Sequence, residues 1–431
     1  MPAQTSPHQP AVPRRAGRRC APRARQPGDL RPTDVVGAFF VGGIAFLLAA
    51  AAAGAVEALD PWPWGRWLAL HLAFVGGVSQ LVLGASQFFV GAFLATDPPP
   101  RRLVRAQLAA WNAGAVGLAV GVPLSSAPLT WGSVALLLAA LGLYAAGLAG
   151  MRRRSLRQAP WATRWYASGA AFLAVGIVIG AMLARGVLWT EGDLLAAHMA
   201  LNLGGWFGAA IVGTLHTFYP SLTSTELARP RLQDLALGAW LGGVVALAAG
   251  YAWSVESLAV AGWLGLVAGA LALLFNVAAS WRKAPRPLLL PARLVGAGQV
   301  FLLAGLLVAL VAAIDRGPAL AVAGSTRAAV GTLLVAGWVG LTVVGSLLHL
   351  LAVMVRVRDF STAMPAPRPA TDRAVALLAA AGVIAVALAQ LGAAGALGEA
   401  ASAVLLASYL ILGGMVIRLA GRVLLRARPS I

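Results

Sequence analysis

Long apolar runs separated by short polar segments account for most of this chain. Twelve runs are long enough to cross a bilayer whose hydrocarbon core is roughly 30 Å thick. They cover residues 33–57, 66–95, 103–124, 129–151, 163–184, 194–220, 232–252, 257–281, 289–314, 327–355, 374–396 and 400–425. The pattern predicts an all-α polytopic membrane protein with twelve transmembrane helices.

The apolar pattern also repeats. Gly76 and Gly84 return 129 positions later as Gly205 and Gly213, and Gly213 returns 132 positions later as Gly345. Further matched pairs are Arg102 and Arg231, Trp111 and Trp240, Arg153 and Arg282, Arg164 and Arg293, Phe172 and Phe301, and Gly176 and Gly305. A period of this length predicts three four-helix pseudo-repeats. The units span approximately 66–184, 194–314 and 327–425, with the helix at 33–57 in addition, and the second, sixth and tenth helices are equivalent.

Charge sets the predicted orientation. Only 11% of residues are charged, yet the net charge is +19. With the amino terminus in the cytoplasm, 29 of the 33 Lys and Arg residues lie inside, as the positive-inside rule expects. We therefore predict that both termini are cytoplasmic. Because Arg far outnumbers Lys, as in proteins from GC-rich bacterial genes, we place the protein in the plasma membrane of a bacterium. The basic residues sit in short loops beside lipid, which argues against nucleic-acid binding.

Residues 1–32 differ from the rest of the chain. They are rich in Arg and Pro and poor in apolar residues, which predicts a disordered cytoplasmic tail. Cys20, the only cysteine, lies in this tail. One cysteine excludes a disulfide framework, an iron–sulfur cluster and a multi-Cys metal site within one chain.

The ionisable residues that fall within the predicted spans are histidines. His71, His198, His216 and His349 all fall on the second, sixth and tenth helices. Imidazole ligates haem iron and suits copper, so these four are predicted cofactor-binding residues for haem b, copper or both. His71 and His198, near the outer face, are the predicted metal ligands, and Asn202, one turn from His198, would orient it. The alternative is that each histidine hydrogen-bonds across a helix interface.

These features resemble the catalytic subunit of haem–copper oxidases, and equally the NnrS-type haem- and copper-containing proteins associated with nitric-oxide metabolism. The segment 198–206, HMALNLGGW, is similar to a His-x-His-Leu-Asn-Leu-x-Gly-Trp segment of oxidase-like bacterial membrane proteins. The resemblance implies that His71 is a haem ligand and His198 a metal ligand. The chain departs from the oxidases where Ala200 replaces the second histidine of that segment.

Other departures from the oxidases restrict which activities the resemblance implies. Helix seven has no histidine pair, helix ten carries its only histidine, His349, at the inner end, and buried acids and lysines for proton channels are missing. We therefore predict a haem- or copper-binding membrane protein for electron transfer or for nitric-oxide or copper handling. It is not predicted to be a proton-pumping oxygen reductase, and its partners would be other respiratory or copper proteins. Alternatives are a secondary transporter of a small solute and a structural or assembly subunit of a respiratory complex.

Overall fold

A computed structural model describes residues 32–155, 160–285, 287–358, 366, 368–392 and 397–425. The regular structure of these residues is entirely helical. The predicted tail up to residue 31, including Cys20, lies outside the described residues.

Twelve helices of the described residues are long and apolar enough to span a membrane. They are α1 (Val35–Leu59), α2 (Gly65–Leu94), α3 (Arg101–Gly121), α4 (Ala127–Arg153), α5 (Thr163–Ala184), α6 (Leu194–Thr223), α7 (Arg231–Ala252), α8 (Glu256–Lys283), α9 (Leu290–Arg316), α10 (Gly324–Val357), α11 (Pro369–Gln390) and α12 (Gly398–Val423). The predicted set of twelve spans is confirmed. The eleventh was misplaced by several residues, because the helix ends at Gln390, where Gly392 adopts a φ of +86° that terminates a helix.

Neighbouring helices in sequence pack as pairs. The pairs are α1 with α2, α3 with α4, α5 with α6, α7 with α8, α9 with α10, and α11 with α12. The α7–α8 pair approaches closely through glycines: a Cβ on Gly262 would lie 2.4 Å from the Leu247 nitrogen, and one on Gly250 would lie 2.4 Å from the Ala259 nitrogen. Small residues of this kind let helix backbones meet inside a bilayer, where packing rather than the hydrophobic effect drives association.

Helices α2, α6 and α10 each contain a π-helical segment. The segments are Leu72–Val78, Ala200–Gly208 and Thr332–Gly340. They occupy matching positions, since residues 72–78 correspond to 201–207 and to 333–339 at the offsets of 129 and 132 found in the sequence. π-helical turns are rare in proteins overall, but those that occur are often found at functional sites. Their presence on the three histidine-bearing helices therefore makes this region a candidate functional site.

The widened segments expose backbone carbonyls that neighbouring helices satisfy. The Trp111 indole N–H donates to the Val75 carbonyl at 3.0 Å, and the Trp240 indole N–H donates to the Gly204 carbonyl at 2.9 Å. At the corresponding position of α10, the Tyr409 hydroxyl donates to the Ala336 carbonyl. These bonds are needed because an unpaired carbonyl inside a bilayer has no water to bind.

Glycines in the π-helical segments receive aromatic rings from the preceding helix. A Cβ added to the glycine would lie within 2.2–2.7 Å of that ring or its Cβ in each case, so the glycine is required for the close approach. The three pairs are Gly76 with Phe46, Gly205 with Phe172, and Gly337 with Phe301. The same glycine–phenylalanine contact therefore joins α1 to α2, α5 to α6 and α9 to α10.

The three histidine-bearing helices face one another around a common axis. A cavity of about 90 Å³ lies between them in their C-terminal halves. Helix α2 contributes Leu81, Val82, Ala85, Ser86 and Phe89, and the residues at +129 on α6 and at a further +132 on α10 line the same cavity. Corresponding positions of α2, α6 and α10 thus meet at the centre of the molecule.

Candidate cofactor site

His71 lies within the first two turns of α2 and is half-buried. Its ring stacks on Trp67, one turn earlier, with ring centroids 4.0 Å apart and an interplanar angle of 23°. Its Nδ1 lies 2.8 Å from the Trp67 carbonyl oxygen. A carbonyl can only accept, so Nδ1 carries the hydrogen and Nε2 keeps a lone pair.

His198, in the first two turns of α6, has the same tautomer. Its Nδ1 donates to the Gly176 carbonyl of α5 at 2.8 Å, which leaves the Nε2 lone pair free. The ring lies against Gly180, where an added Cβ would be 2.7 Å from the His198 Cε1. Gly176 and Gly180, one turn apart on α5, therefore form the recess that holds this imidazole.

Asn202, predicted to orient His198, lies beside it one turn later on α6. Its side-chain N–H donates to the His198 carbonyl at 2.7 Å, and the same nitrogen lies 3.2 Å from the His198 Nδ1. Since the Nδ1 hydrogen is directed to Gly176, the 3.2 Å approach is a packing contact between two donors. A Cβ on Gly176 would lie 2.6 Å from the Asn202 amide nitrogen, so the amide and the imidazole share one glycine-lined recess.

The start of α6 is fixed by a cap. The Asp193 carboxylate accepts from the Ala196 backbone N–H at 2.9 Å, as an N-cap residue does. The Asp193 backbone N–H donates to the Tyr251 carbonyl at the end of α7 at 2.8 Å. Gly192 allows this approach, because a Cβ there would lie 2.3 Å from the Tyr251 oxygen. These contacts set the depth and rotation of the helix that carries His198.

His71 and His198 lie on helices that are in contact. C-terminal to the two histidines, Phe74 of α2 packs on Phe207 of α6 with ring centroids 5.1 Å apart, and the Trp206 indole donates to the Ser79 hydroxyl at 3.0 Å. These contacts join the N-terminal halves of α2 and α6, which carry the two histidines.

The side chains of His71 and His198 would suit haem more readily than a bare copper ion. Metal-binding histidines commonly donate their second ring N–H to a carbonyl, as both of these do. Within the described residues, no group of three or more His, Cys, Asp or Glu side chains converges as a bare metal ion would require. Haem brings four nitrogen ligands of its own and needs only two axial ligands, so two imidazoles suffice for haem.

His216 and His349 lie in the C-terminal halves of α6 and α10 and have different surroundings. His216 is fully buried, and its Nδ1 accepts from the Asn276 side-chain N–H of α8 at 3.2 Å. Asn276 also accepts from the Arg229 backbone N–H at 3.0 Å, which ties the segment between α6 and α7 to α8. His349 meets Phe218 edge-on, with ring centroids 5.7 Å apart. No hydrogen bond or ring contact between described residues joins His216 to His349.

Two features of the site escaped sequence reasoning. In the sequence, Trp111 and Trp240 were identified only as a matched pair of the repeat. In the structure, their indole N–H groups donate to carbonyls of the π-helical segments on α2 and α6. Their recurrence at the 129-residue offset was the available signal. Gly180 gave no signal, because the need for glycine there arises from a ring on another helix.

Comparison with known proteins adds no assignment: no protein-family model matches this chain, and no curated protein matches it.

Proposed function

We propose that this protein is a reduced relative of the haem–copper oxidase catalytic subunit, built from three four-helix units and carrying one cofactor site near the outer face. The geometry that supports three units is the recurrence of the π-helical segment, the bound carbonyl and the glycine–phenylalanine contact on α2, α6 and α10. The central cavity, lined by corresponding positions of the same helices, supports the same proposal.

The proposed cofactor is haem b, held between His71 of α2 and His198 of α6. The observation that carries this proposal is the shared hydrogen-bonding pattern: each ring gives its Nδ1 hydrogen to a carbonyl and keeps its Nε2 lone pair, on two helices that contact each other through Phe74 and Phe207. The haem supplies a one-electron redox centre when bound. Trp67 stacks on the His71 ring, and Gly176 and Gly180 of α5 receive the His198 ring.

Electron transfer is the proposed activity of this site. If His71 and His198 both held the haem iron, the site would supply one-electron chemistry rather than bind a gas molecule. Oxygen reduction with proton pumping is not proposed, because Ala200 stands where the oxidases place their second helix-six histidine. Copper is the alternative occupant, and metal analysis distinguishes it from haem.

Absorption spectroscopy of the purified protein tests the proposal. We expect a haem Soret band at about one haem per chain that is lost in both His71→Ala and His198→Ala. His349→Ala is the matched control and should keep the band, since its ring contacts only Phe218 among the described aromatic residues. If the wild-type protein contains stoichiometric copper but no haem, the cofactor assigned to this site is copper instead of haem.

The remaining outcomes overturn the proposal. A colourless, metal-free protein that transports a solute would identify a secondary transporter. A colourless protein that co-purifies with a respiratory complex would identify a structural or assembly subunit. A Soret band that survives in His71→Ala and His198→Ala would place the haem elsewhere in the chain.

A further inference from the structure

The cavity on the central axis is separate from the proposed haem site. On α2 its wall begins at Leu81, ten residues below His71, and on α6 it begins at Ala210, twelve residues below His198. At a rise of about 1.5 Å per residue, the cavity lies roughly 15 Å or more below the two imidazoles. A ligand in this cavity would not touch either histidine.

The cavity wall is almost entirely hydrocarbon. The positions that correspond between the three helices include Val82, Ile211 and Val343, and Phe89 and Phe218 also line the wall. The two phenylalanine rings pack with centroids 5.2 Å apart. A polar or charged solute would lose its hydration here without gaining hydrogen bonds, so the wall selects an uncharged apolar guest.

Most hydroxyls that reach the wall are already hydrogen-bonded. The Ser86 hydroxyl donates to the Leu83 carbonyl at 3.2 Å and accepts from the Tyr144 hydroxyl at 2.8 Å. The Thr214 hydroxyl donates to the Ala210 carbonyl at 2.6 Å and bonds to the Tyr166 hydroxyl at 2.5 Å. On α2 and α6 the wall therefore offers little to a water molecule.

Further wall hydroxyls lie on α10. The Thr342 hydroxyl accepts from the Gln299 side-chain N–H at 2.9 Å, and Ser346 follows one turn later. A buried water usually needs two to four polar partners. Two hydroxyls from one side of the cavity reach only the bottom of that range, which favours a dry cavity.

The volume of the cavity limits the size of the molecule that it can hold. Pockets for drug-sized ligands measure roughly 300–1,000 Å³, so about 90 Å³ is too small for haem, a lipid head group or a metabolite. An engineered apolar cavity of about 150 Å³ stays dry and binds xenon or benzene. We propose that the axial cavity of α2, α6 and α10 is a dry binding site for one small apolar molecule, of the size of a diatomic gas.

Xenon is the probe for this site. Crystals of the full-length protein under xenon pressure should show one anomalous peak on the axis, between Val82, Ile211 and Val343. Ala85→Leu adds three carbon atoms to the wall and should abolish the peak. Ala135→Leu is the matched control: it makes the same substitution on α4 at an exposed position, and the peak should remain.

Two further variants keep the test decisive if Ala85→Leu does not fold. Val343→Ala enlarges the cavity and should raise the xenon occupancy at a given pressure. Ser346→Ala removes a hydroxyl and should leave the occupancy equal or higher. A wild-type crystal with ordered water but no xenon on the axis would overturn the inference. So would equal xenon peaks in Ala85→Leu and Ala135→Leu. Neither result depends on whether the histidines bind haem.

Discussion

At the scale of single residues, the Nδ1 hydrogens of His71 and His198 are held by backbone carbonyls. His71 uses the carbonyl of its own helix, at Trp67, whereas His198 reaches across to Gly176 of α5. The first bond follows from spacing along one helix, but the second depends on how α5 and α6 pack. The sequence therefore predicts that both histidines lie near the start of their helices, but it does not predict the recess that orients His198.

The glycine recess gives a prediction. Gly180→Ala places a methyl group where the Cβ would lie 2.7 Å from the His198 Cε1, so the imidazole must turn or move. We expect the haem affinity to fall by about tenfold or more, as it does when groups that orient metal ligands are changed. Haem titration of the purified protein, followed by absorption, measures the affinity.

Gly142→Ala is the control for this substitution. It lies on α4, and a Cβ there would meet nothing within 4 Å, so haem binding should be unchanged. If Gly180→Ala and Gly142→Ala bind haem equally, the recess does not position a ligand and the role given to His198 is wrong.

At the scale of helices, the twelve spans could be predicted because the length of an apolar run reports directly on membrane crossing. The π-helical segments could not be predicted. An apolar segment has the same composition whether its backbone hydrogen bonds follow the α-helical (i+4) or the π-helical (i+5) pattern. The segment Leu72–Val78 also contains no residue that enforces the wider turn. What stabilises the wide turn is a donor on another helix, such as the Trp111 indole.

Trp240 tests the importance of that donor. Trp240→Phe removes the indole N–H that donates to the Gly204 carbonyl inside the membrane region. We expect a loss of about 1–3 kcal/mol in the free energy of unfolding, the usual cost of a buried unpaired group. Denaturant titration in detergent micelles, followed by circular dichroism, measures it.

Trp338→Phe is a close control because it makes the same change in volume. Trp338 is also fully buried, but its indole N–H has no partner among the described residues. It should therefore lose packing alone and be destabilised less than Trp240→Phe. Equal losses in the two variants would show that the bond to Gly204 does not stabilise the π-helical segment.

At the scale of the whole molecule, orientation decides which side of the membrane can exchange electrons with the proposed haem. His71 and His198 lie within the first two turns of α2 and α6, so they are close to whichever face those helices start from. The distribution of Lys and Arg predicts that this face is the extracytoplasmic one. A redox partner would then approach from outside the cytoplasm.

Cysteine labelling tests this orientation, since Cys20 is the only native cysteine. A membrane-impermeant maleimide should label Cys20 only after the cells are broken, because the positive-inside rule places the amino-terminal segment in the cytoplasm. In a Cys20→Ser background, Thr190→Cys should be labelled in intact cells, since Thr190 is exposed in the connection that precedes α6. The opposite pattern would invert the topology, put the histidine pair at the cytoplasmic face and require a cytoplasmic electron partner.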